Sequence, residues 1–333
     1  MFILQSYSLA VIFLFITMLC WGSWANTQKL AGKEWRFELF YWDYVIGVLL
    51  LSLIFAFTLG SIGNVGRSFL EDLAQADFSN LLSAMIGGAV FNAANILLVA
   101  AIAIAGMSVA FPVGIGLALV LGVIVNYIAT PLGNPVILFL GVFLVLLAIV
   151  LDAFAYKRIP NQAAGVTTKG LVLSVLAGIL MGFFYRFVAS SMSTDFVHLE
   201  AGKLSPYTAV VFFSIGLLIS NFVFNTLIMK KPFVGEPVSF SDYFKGNFRV
   251  HLYGILGGII WCIGMSFSII ASGQAGFAIS YGLGQGATMV AAFWGVFIWK
   301  EFKEAAPGTN LMLALMFIFF IAGLGLIIWA RVA

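Results

Sequence analysis

Charge is so sparse in this chain that it marks where the polypeptide can leave an apolar environment. Asp, Glu, Lys and Arg make up 9% of the 333 residues, against roughly 25% in soluble domains. Between them lie ten apolar stretches, each near the roughly 20 residues that a helix needs to cross a bilayer core. They run from Tyr7 to Gln28, Phe40 to Leu59, Leu81 to Ala105, Ser108 to Ile128, Pro135 to Tyr156, Gly170 to Ser191, Pro206 to Met229, Val250 to Ala271, Ala275 to Trp299 and Leu311 to Ala330. Backbone polar groups must be satisfied within each segment in lipid, so helices are expected. The least marked joints are at Gly106 and Gly273, where one long run must break in two. The expected fold is an all-α polytopic membrane protein of ten transmembrane helices.

Met1 to Ala10 carries no basic n-region, so the first stretch is expected to be a retained span. Cys20 and Cys262 lie inside apolar runs without metal-ligand spacing. A net charge of +3 comes without a basic stripe interleaved with aromatics, which sets nucleic-acid binding aside. Twelve Lys and Arg, Lys33 among them, fall in the odd-to-even joints, and three, Arg67, Lys203 and Arg331, on the opposite side. The positive-inside rule then puts both termini outside the cytoplasm and the joint after the fifth span inside it.

An offset of 170 residues superposes Gly87, Gly88, Gly106, Gly114 and Gly116 on Gly257, Gly258, Gly276, Gly284 and Gly286. The two 40-residue windows hold six and nine glycines, for which chance alone gives about 1.4 coincidences, so an internal repeat is indicated. With five spans per copy, an odd number, the second copy enters the membrane inverted. The expected division is 1–156 for spans 1–5, 157–169 for a short cytoplasmic joint and 170–333 for spans 6–10.

Polar groups inside spans are costly and mark candidate sites. Asp43, in Phe40-Tyr41-Trp42-Asp43-Tyr44, is either an interface residue or a proton-coupling carboxylate. Arg186 in span 6 either meets an anionic or carbonyl-rich ligand or snorkels to the surface. Asp152 and Glu301, beside Lys157 and Lys300, read as solvated interface pairs. Asn92 and Asn95 share a helix face, as do Tyr281, Gln285 and Thr288; each set is either helix–helix glue or a ligand surface. Trp21, Trp24 and Trp261, with Ser23 and Asn26 beside the first two, add flat aromatic faces. Rings and amides together suit a small, neutral, polar, ring-shaped ligand. His198 and His251 stand in or beside loops with no nucleophile or metal spacing, and no phosphate-binding loop occurs, so neither an enzyme nor a cofactor or metal is expected. A channel is disfavoured by the lack of a filter-like loop.

Several stretches resemble the ureide permease family, a ten-span branch of the drug/metabolite transporters. These are Tyr41-Trp42-Asp43-Tyr44, the run from Gly87 to Asn126-Tyr127, Leu204-Ser205-Pro206-Tyr207-Thr208-Ala209-Val210, and Gly273-Gln274-Ala275-Gly276 with Phe293-Trp294-Gly295. Trp21-Gly22-Ser23 is also similar to bacterial glucose/ribose and rhamnose carriers. The resemblance implies a proton-coupled importer of allantoin-like ureides or oxopyrimidine and purine bases. It further implies a pocket between the two repeats, which places Trp21, Asn92, Asn95, Trp261, Tyr281 and Gln285 in the pocket. Plant members carry a long central loop with a Walker-type sequence; here the joint from Lys157 to Lys169 lacks it, so nucleotide regulation does not carry over.

The expected function is therefore secondary active transport by alternating access across the cytoplasmic membrane. The candidate substrate residues are Trp21, Ser23, Asn92, Asn95, Arg186, Trp261, Tyr281, Gln285 and Thr288, and Asp43 is the candidate proton carrier. A monosaccharide is the alternative substrate. A non-transporting sensor or assembly factor is the alternative class, against which the short loops argue. Oligomeric state is not readable from the sequence.

Overall fold

The computed structural model describes residues 1–32, 35–160 and 167–333. Lys33 of the positive-inside count and part of the central joint, 161–166, lie outside the described residues. Among the described residues ten helices are long and apolar enough to cross a membrane: spans 1 to 10 are Tyr7–Ala31, Phe37–Phe57, Phe78–Ala105, Phe111–Ala129, Pro135–Tyr156, Thr168–Ser191, Pro206–Lys230, Phe248–Ala275, Phe277–Ile298 and Thr309–Trp329. No strand occurs among the described residues beyond one isolated bridge, Met192 to Leu204. The starts follow local chemistry. Ser6, Asn134 and Ser205 cap spans 1, 5 and 7 through their side-chain oxygens, and Pro135 and Pro206 occupy the first helical position, where no N–H is needed.

One joint differs from expectation. Span 8 continues through Gly273, and the chain breaks at Gly276, whose φ of +82° only glycine adopts readily. Gly276 is the partner of Gly106 at the 170-residue offset, and Gly106 breaks the chain after span 3 with φ +77°. Gly273 stays helical, and a Cβ there would press on the Phe196 ring, 2.6 Å away.

The chain forms two compact units. The first comprises Met1–Asn92 and Phe184–Gln274, the second Ala93–Phe183 and Ala275–Ala333. Close helix approach organises the first. Gly88 of span 3 rests on the backbone of Phe213 and Leu217 in span 7, and Gly258 of span 8 rests on Tyr44 and Val48 in span 2. Likewise Gly216 of span 7 meets Met85 of span 3, and Gly47 of span 2 meets Ile255 of span 8. Lipid gives no hydrophobic drive between helices, so such backbone contact supplies the dispersion and packing that hold them. At one end of this unit, Asp72 is fully buried between Arg67 (Nε to Oδ1, 2.9 Å) and the amide of Ser205 (2.7 Å). Ser205-Pro206 thus joins the short helix Phe69–Gln75 to the start of span 7.

In the second unit, spans 5 and 10 pack through Gly141 and Gly323, each of which takes the other's carbonyl where a Cβ would stand, 2.7 Å away. Span 9 is discontinuous. It is helical over Phe277–Gly284, turns at Gln285 and Gly286, resumes over Ala287–Phe293 and ends in a π-helical turn, Trp294–Ile298. A second π-helical turn, Phe111–Ile115, opens span 4.

Gly258→Leu is expected to lower stability by about 3 kcal/mol through overpacking against Tyr44. Gly325→Ala, where nothing lies within 4 Å of the added carbon, is expected to raise it by up to about 1 kcal/mol. Thermal melts in one detergent check both.

Candidate functional site

In the first unit, Arg36 precedes span 2 and forks onto Glu38 through Nε and Nη2 (Nη2 to Oε1, 2.6 Å), while Nη2 also donates to the Val234 carbonyl and Nη1 to that of Glu236. This ties the joint after span 7 to the start of span 2. Within that joint Ser239 and Asp242 form a capping box that starts the short helix Phe240–Phe244. The carboxyl of Asp242, partly exposed, is held down to about 2 by Ser239 and, secondarily, Lys245. The helix delivers Tyr243, whose hydroxyl donates to Asp43 Oδ1 at 2.6 Å. His251, in the first turn of span 8, places Nδ1 2.9 Å from Asp43 Oδ2. The imidazole is fixed by Trp35, edge-on at 5.2 Å, and by the Tyr243 ring at 4.8 Å. Asp43 is only 2% exposed, and burial, then the adjacent carboxylate, pushes the Tyr243 phenol well above its ordinary range. A carboxylate–imidazole pair of this kind can hold one proton and pass it on. His251 is therefore not an idle loop residue. Its link to Asp43 spans 208 positions and has no local signature.

Farther along the same unit stands an aromatic layer. Trp261 stacks between Trp21 (5.9 Å, 15°) and Phe213 (5.7 Å, 17°), with Phe91 at 4.4 Å and Tyr44 at 6.3 Å. Trp21 Nε1 donates to the Trp261 carbonyl at 3.2 Å. The two indoles stack on each other; a flat ring inserted between them would require about 7 Å, two van der Waals contacts. Asn92 is fully buried and donates to Ser220 Oγ (2.9 Å) and the Leu217 carbonyl (3.3 Å). Ser23, half-buried, ends the first helical piece of span 1. Arg186 is half-buried in span 6 and makes no ion pair among the described residues.

Asn95, Tyr281, Gln285 and Thr288 belong to the second unit. The unit boundary thus falls between Asn92 and Asn95. Tyr281 lies flat on Gly122, and its hydroxyl meets the carbonyls of Met181 (3.0 Å) and Ala118 (3.2 Å), so it rivets spans 4, 6 and 9. Gln285 sits at the break in span 9, where Thr288 Oγ1 donates to its carbonyl at 2.8 Å. Interrupted spans of this kind mark ligand sites in carriers.

Asp152 is not a solvated partner of Lys157. Asp152 is 1% exposed with Oδ1 unbonded to any described residue, and Glu301 accepts from Tyr156 at 2.9 Å. The main-chain bond from Glu301 to the Gly295 carbonyl, 2.9 Å, folds Glu301 back onto the end of span 9, a return that helix-period spacing does not reveal. Asn221 and Asn225 of span 7, both fully buried, are absent from the sequence-derived candidates, although they repeat the one-face asparagine pattern of span 3. Among the described residues no cluster of three His, Cys, Asp or Glu side chains is placed to bind a metal.

The Ureide permease family model matches residues 40–164 and 161–330. The chain belongs to the ureide permease family. It is similar to Ureide permease 2 of Arabidopsis thaliana at 24% identity, over 98% of each chain, and to Ureide permease 1 of the same plant at 23%, again over 98% of each. Half of the chain, 49%, aligns at 25% identity with 41% of Transmembrane protein 144 homolog B of Dictyostelium discoideum. A solved crystal structure shares the fold at a TM-score of 0.62 and 14% identity, over 97% of this chain and 98% of that one. As a family member with ten candidate spans among its described residues, the protein is a multi-pass membrane transporter and not an enzyme. The matched segments include Asp43, Tyr243 and His251 and, of the aromatic layer, Tyr44, Phe91, Phe213 and Trp261, but not Trp21.

Removing either donor to Asp43, in Tyr243→Phe or His251→Leu, is expected to cost about 2 kcal/mol. In a double-mutant cycle with Asp43→Asn, the costs of His251→Leu and Asp43→Asn are expected to sum to more than the double mutant shows; additive melts would sever the pair.

Proposed function

We propose that this permease imports a small, planar, polar ring compound, an allantoin-like ureide or an oxopyrimidine or purine base, across the cytoplasmic membrane in symport with protons. The observation that carries the substrate class is kinship over nearly the whole length with ureide permeases. The first unit supports it with an aromatic wall of Trp21, Trp261 and Phe213 beside the buried amide of Asn92. Flat rings bind such walls through dispersion, and amides select an N–H and C=O edge. Ser23 and Arg186 are the further polar groups of that unit, and Asn95, Tyr281, Gln285 and Thr288 those of the second.

Transport is proposed to proceed by alternating access of two inverted five-span repeats, 1–156 and 170–333 joined by 157–169. The matched glycine contacts support the repeat. Gly88 on Phe213 and Leu217 corresponds to Gly258 on Tyr44 and Val48, and Gly216 on Met85 to Gly47 on Ile255. The equivalent left-handed joints at Gly106 and Gly276 support it again. Positive residues then put the termini outside.

Asp43 is proposed to take up the coupling proton, with His251 as its partner and Tyr243 as the donor that holds the carboxylate in place. In proteoliposomes, an acid-outside gradient is expected to accelerate saturable uptake of allantoin or uracil at least tenfold. Asp43→Asn is expected to abolish that acceleration. Gradient-driven uptake that survives in Asp43→Asn would place the proton elsewhere, and saturable uptake of glucose, ribose or rhamnose without any heterocycle would overturn the substrate class.

A further inference from the structure

Span 7 carries Asn221 and Asn225 one helical turn apart, both wholly inside the first unit. Their surroundings differ. Asn225 Nδ2 donates to the Glu38 carbonyl of span 2 at 2.8 Å, the interhelical bond expected of an amide used as glue. Asn221 bonds to no described residue through either Nδ2 or Oδ1. One turn earlier on the same face, the Leu217 carbonyl accepts from Asn92 of span 3. Asn221 therefore stands between two anchored amides and is itself unanchored.

Its level in the unit follows from the neighbouring helix. Spans 2 and 7 run antiparallel, since Glu38 is level with Asn225 while Ser52 and Phe55 share a cleft with Tyr207 and Val210. Asn221 is then level with Tyr41, on which Tyr44 stacks at 5.2 Å. The Tyr44 hydroxyl, Asn92 Oδ1 and Asn225 Oδ1 are also buried without a hydrogen bond to any described residue. Tyr44 in turn touches Trp24 at 4.8 Å and Trp261 at 6.3 Å.

We infer that Asn221 is a substrate-binding residue that pairs in two-point fashion with the N–H and C=O of a ring amide, within a polar layer completed by Asn92, Tyr44 and Asn225. This rests on the ureide function proposed above. Buried polar atoms are almost always hydrogen-bonded, and one amide with donor and acceptor both unfilled is the complement of a cis-amide edge. The layer offers two donors, Asn221 Nδ2 and the Tyr44 hydroxyl, and three acceptors, the oxygens of Asn92, Asn221 and Asn225. A cyclic ureide or oxopyrimidine, with N–H and C=O alternating around a flat ring, fills both kinds. The same amide is too poorly partnered to be a structural bond.

That distinction can be measured. Purified protein would be melted in detergent with and without allantoin, uracil and glucose, as wild type, Asn221→Leu and Asn221→Ser. Leucine has the branched heavy-atom skeleton of asparagine and needs no partner; the smaller serine cannot overpack, and its hydroxyl can return to the Leu217 carbonyl one turn back. Expected are unliganded melts at or above wild type for at least one variant, together with a heterocycle-induced shift that needs at least tenfold more ligand in that variant. Unliganded melts several degrees lower in both variants, or a heterocycle shift unchanged in either, would overturn the role of Asn221 and leave the ureide function standing. A wild-type melt raised by glucose alone would overturn the ureide function and, since glucose has no amide edge, the two-point pairing of Asn221 with it. A wild-type melt moved by none of the three overturns both.

Discussion

Backbone hydrogen bonding leaves this chain no alternative to the helix, and the helices must then associate without the hydrophobic effect that drives packing in water. What remains is contact. Spans 2, 3, 7 and 8 approach through Gly47, Gly88, Gly216 and Gly258, each set directly on a neighbour's main chain. Everything proposed for the first unit stands on that scaffold. Because Gly88 brings spans 3 and 7 together, Asn92 reaches Leu217 and Ser220; because Gly258 brings spans 2 and 8 together, Tyr44 and Trp261 meet. A larger residue at these positions would part the helices that assemble the polar and aromatic layers.

Within that scaffold the ionisable groups are held by connections outside the apolar runs. Asp43 is buried near the start of span 2, where an unpaired carboxylate would be costly. Two segments answer it, a one-turn helix carrying Tyr243 and the first turn of span 8 carrying His251. Arg36 secures the same joint by binding its carbonyls. A change in the protonation of Asp43 therefore acts on the joint between spans 7 and 8 as well as on span 2. In the second unit the break in span 9 at Gln285 and the burial of Asp152 beside Tyr156 and Glu301 keep further polar groups inside the apolar region.

Much of the architecture was legible in the letters because it depends on local composition. The apolar stretches and their interruptions located ten helices, and the glycine offset contained the position of the second sharp joint. Gly276 is the image of Gly106, whereas Gly273, which the apolar run alone suggests as the joint, is an ordinary helical residue. Asp43, Asn92 and Trp261 were visible as polar or aromatic intrusions. Their partners were not. Asp152 and Glu301 looked solvated beside lysines, yet Asp152 is buried and Glu301 is turned toward Tyr156.

The sequence by itself determined that the chain spans a membrane, in how many helices, and to which family it belongs, since these follow from apolar run length and from residue identity. Only the tertiary structure decided which polar groups are paired. Asp43 meets a tyrosine 200 positions away and a histidine 208 away, whereas Asn221 meets no described residue. The reason is physical. Pairing across helices depends on the angle and level at which two cylinders touch, and that is set by backbone contacts at a few glycines far apart in the chain. Asn221 and Asn225 have the same letter, the same helix and the same face, and only the presence of the Glu38 carbonyl opposite one of them separates an anchored amide from an open one.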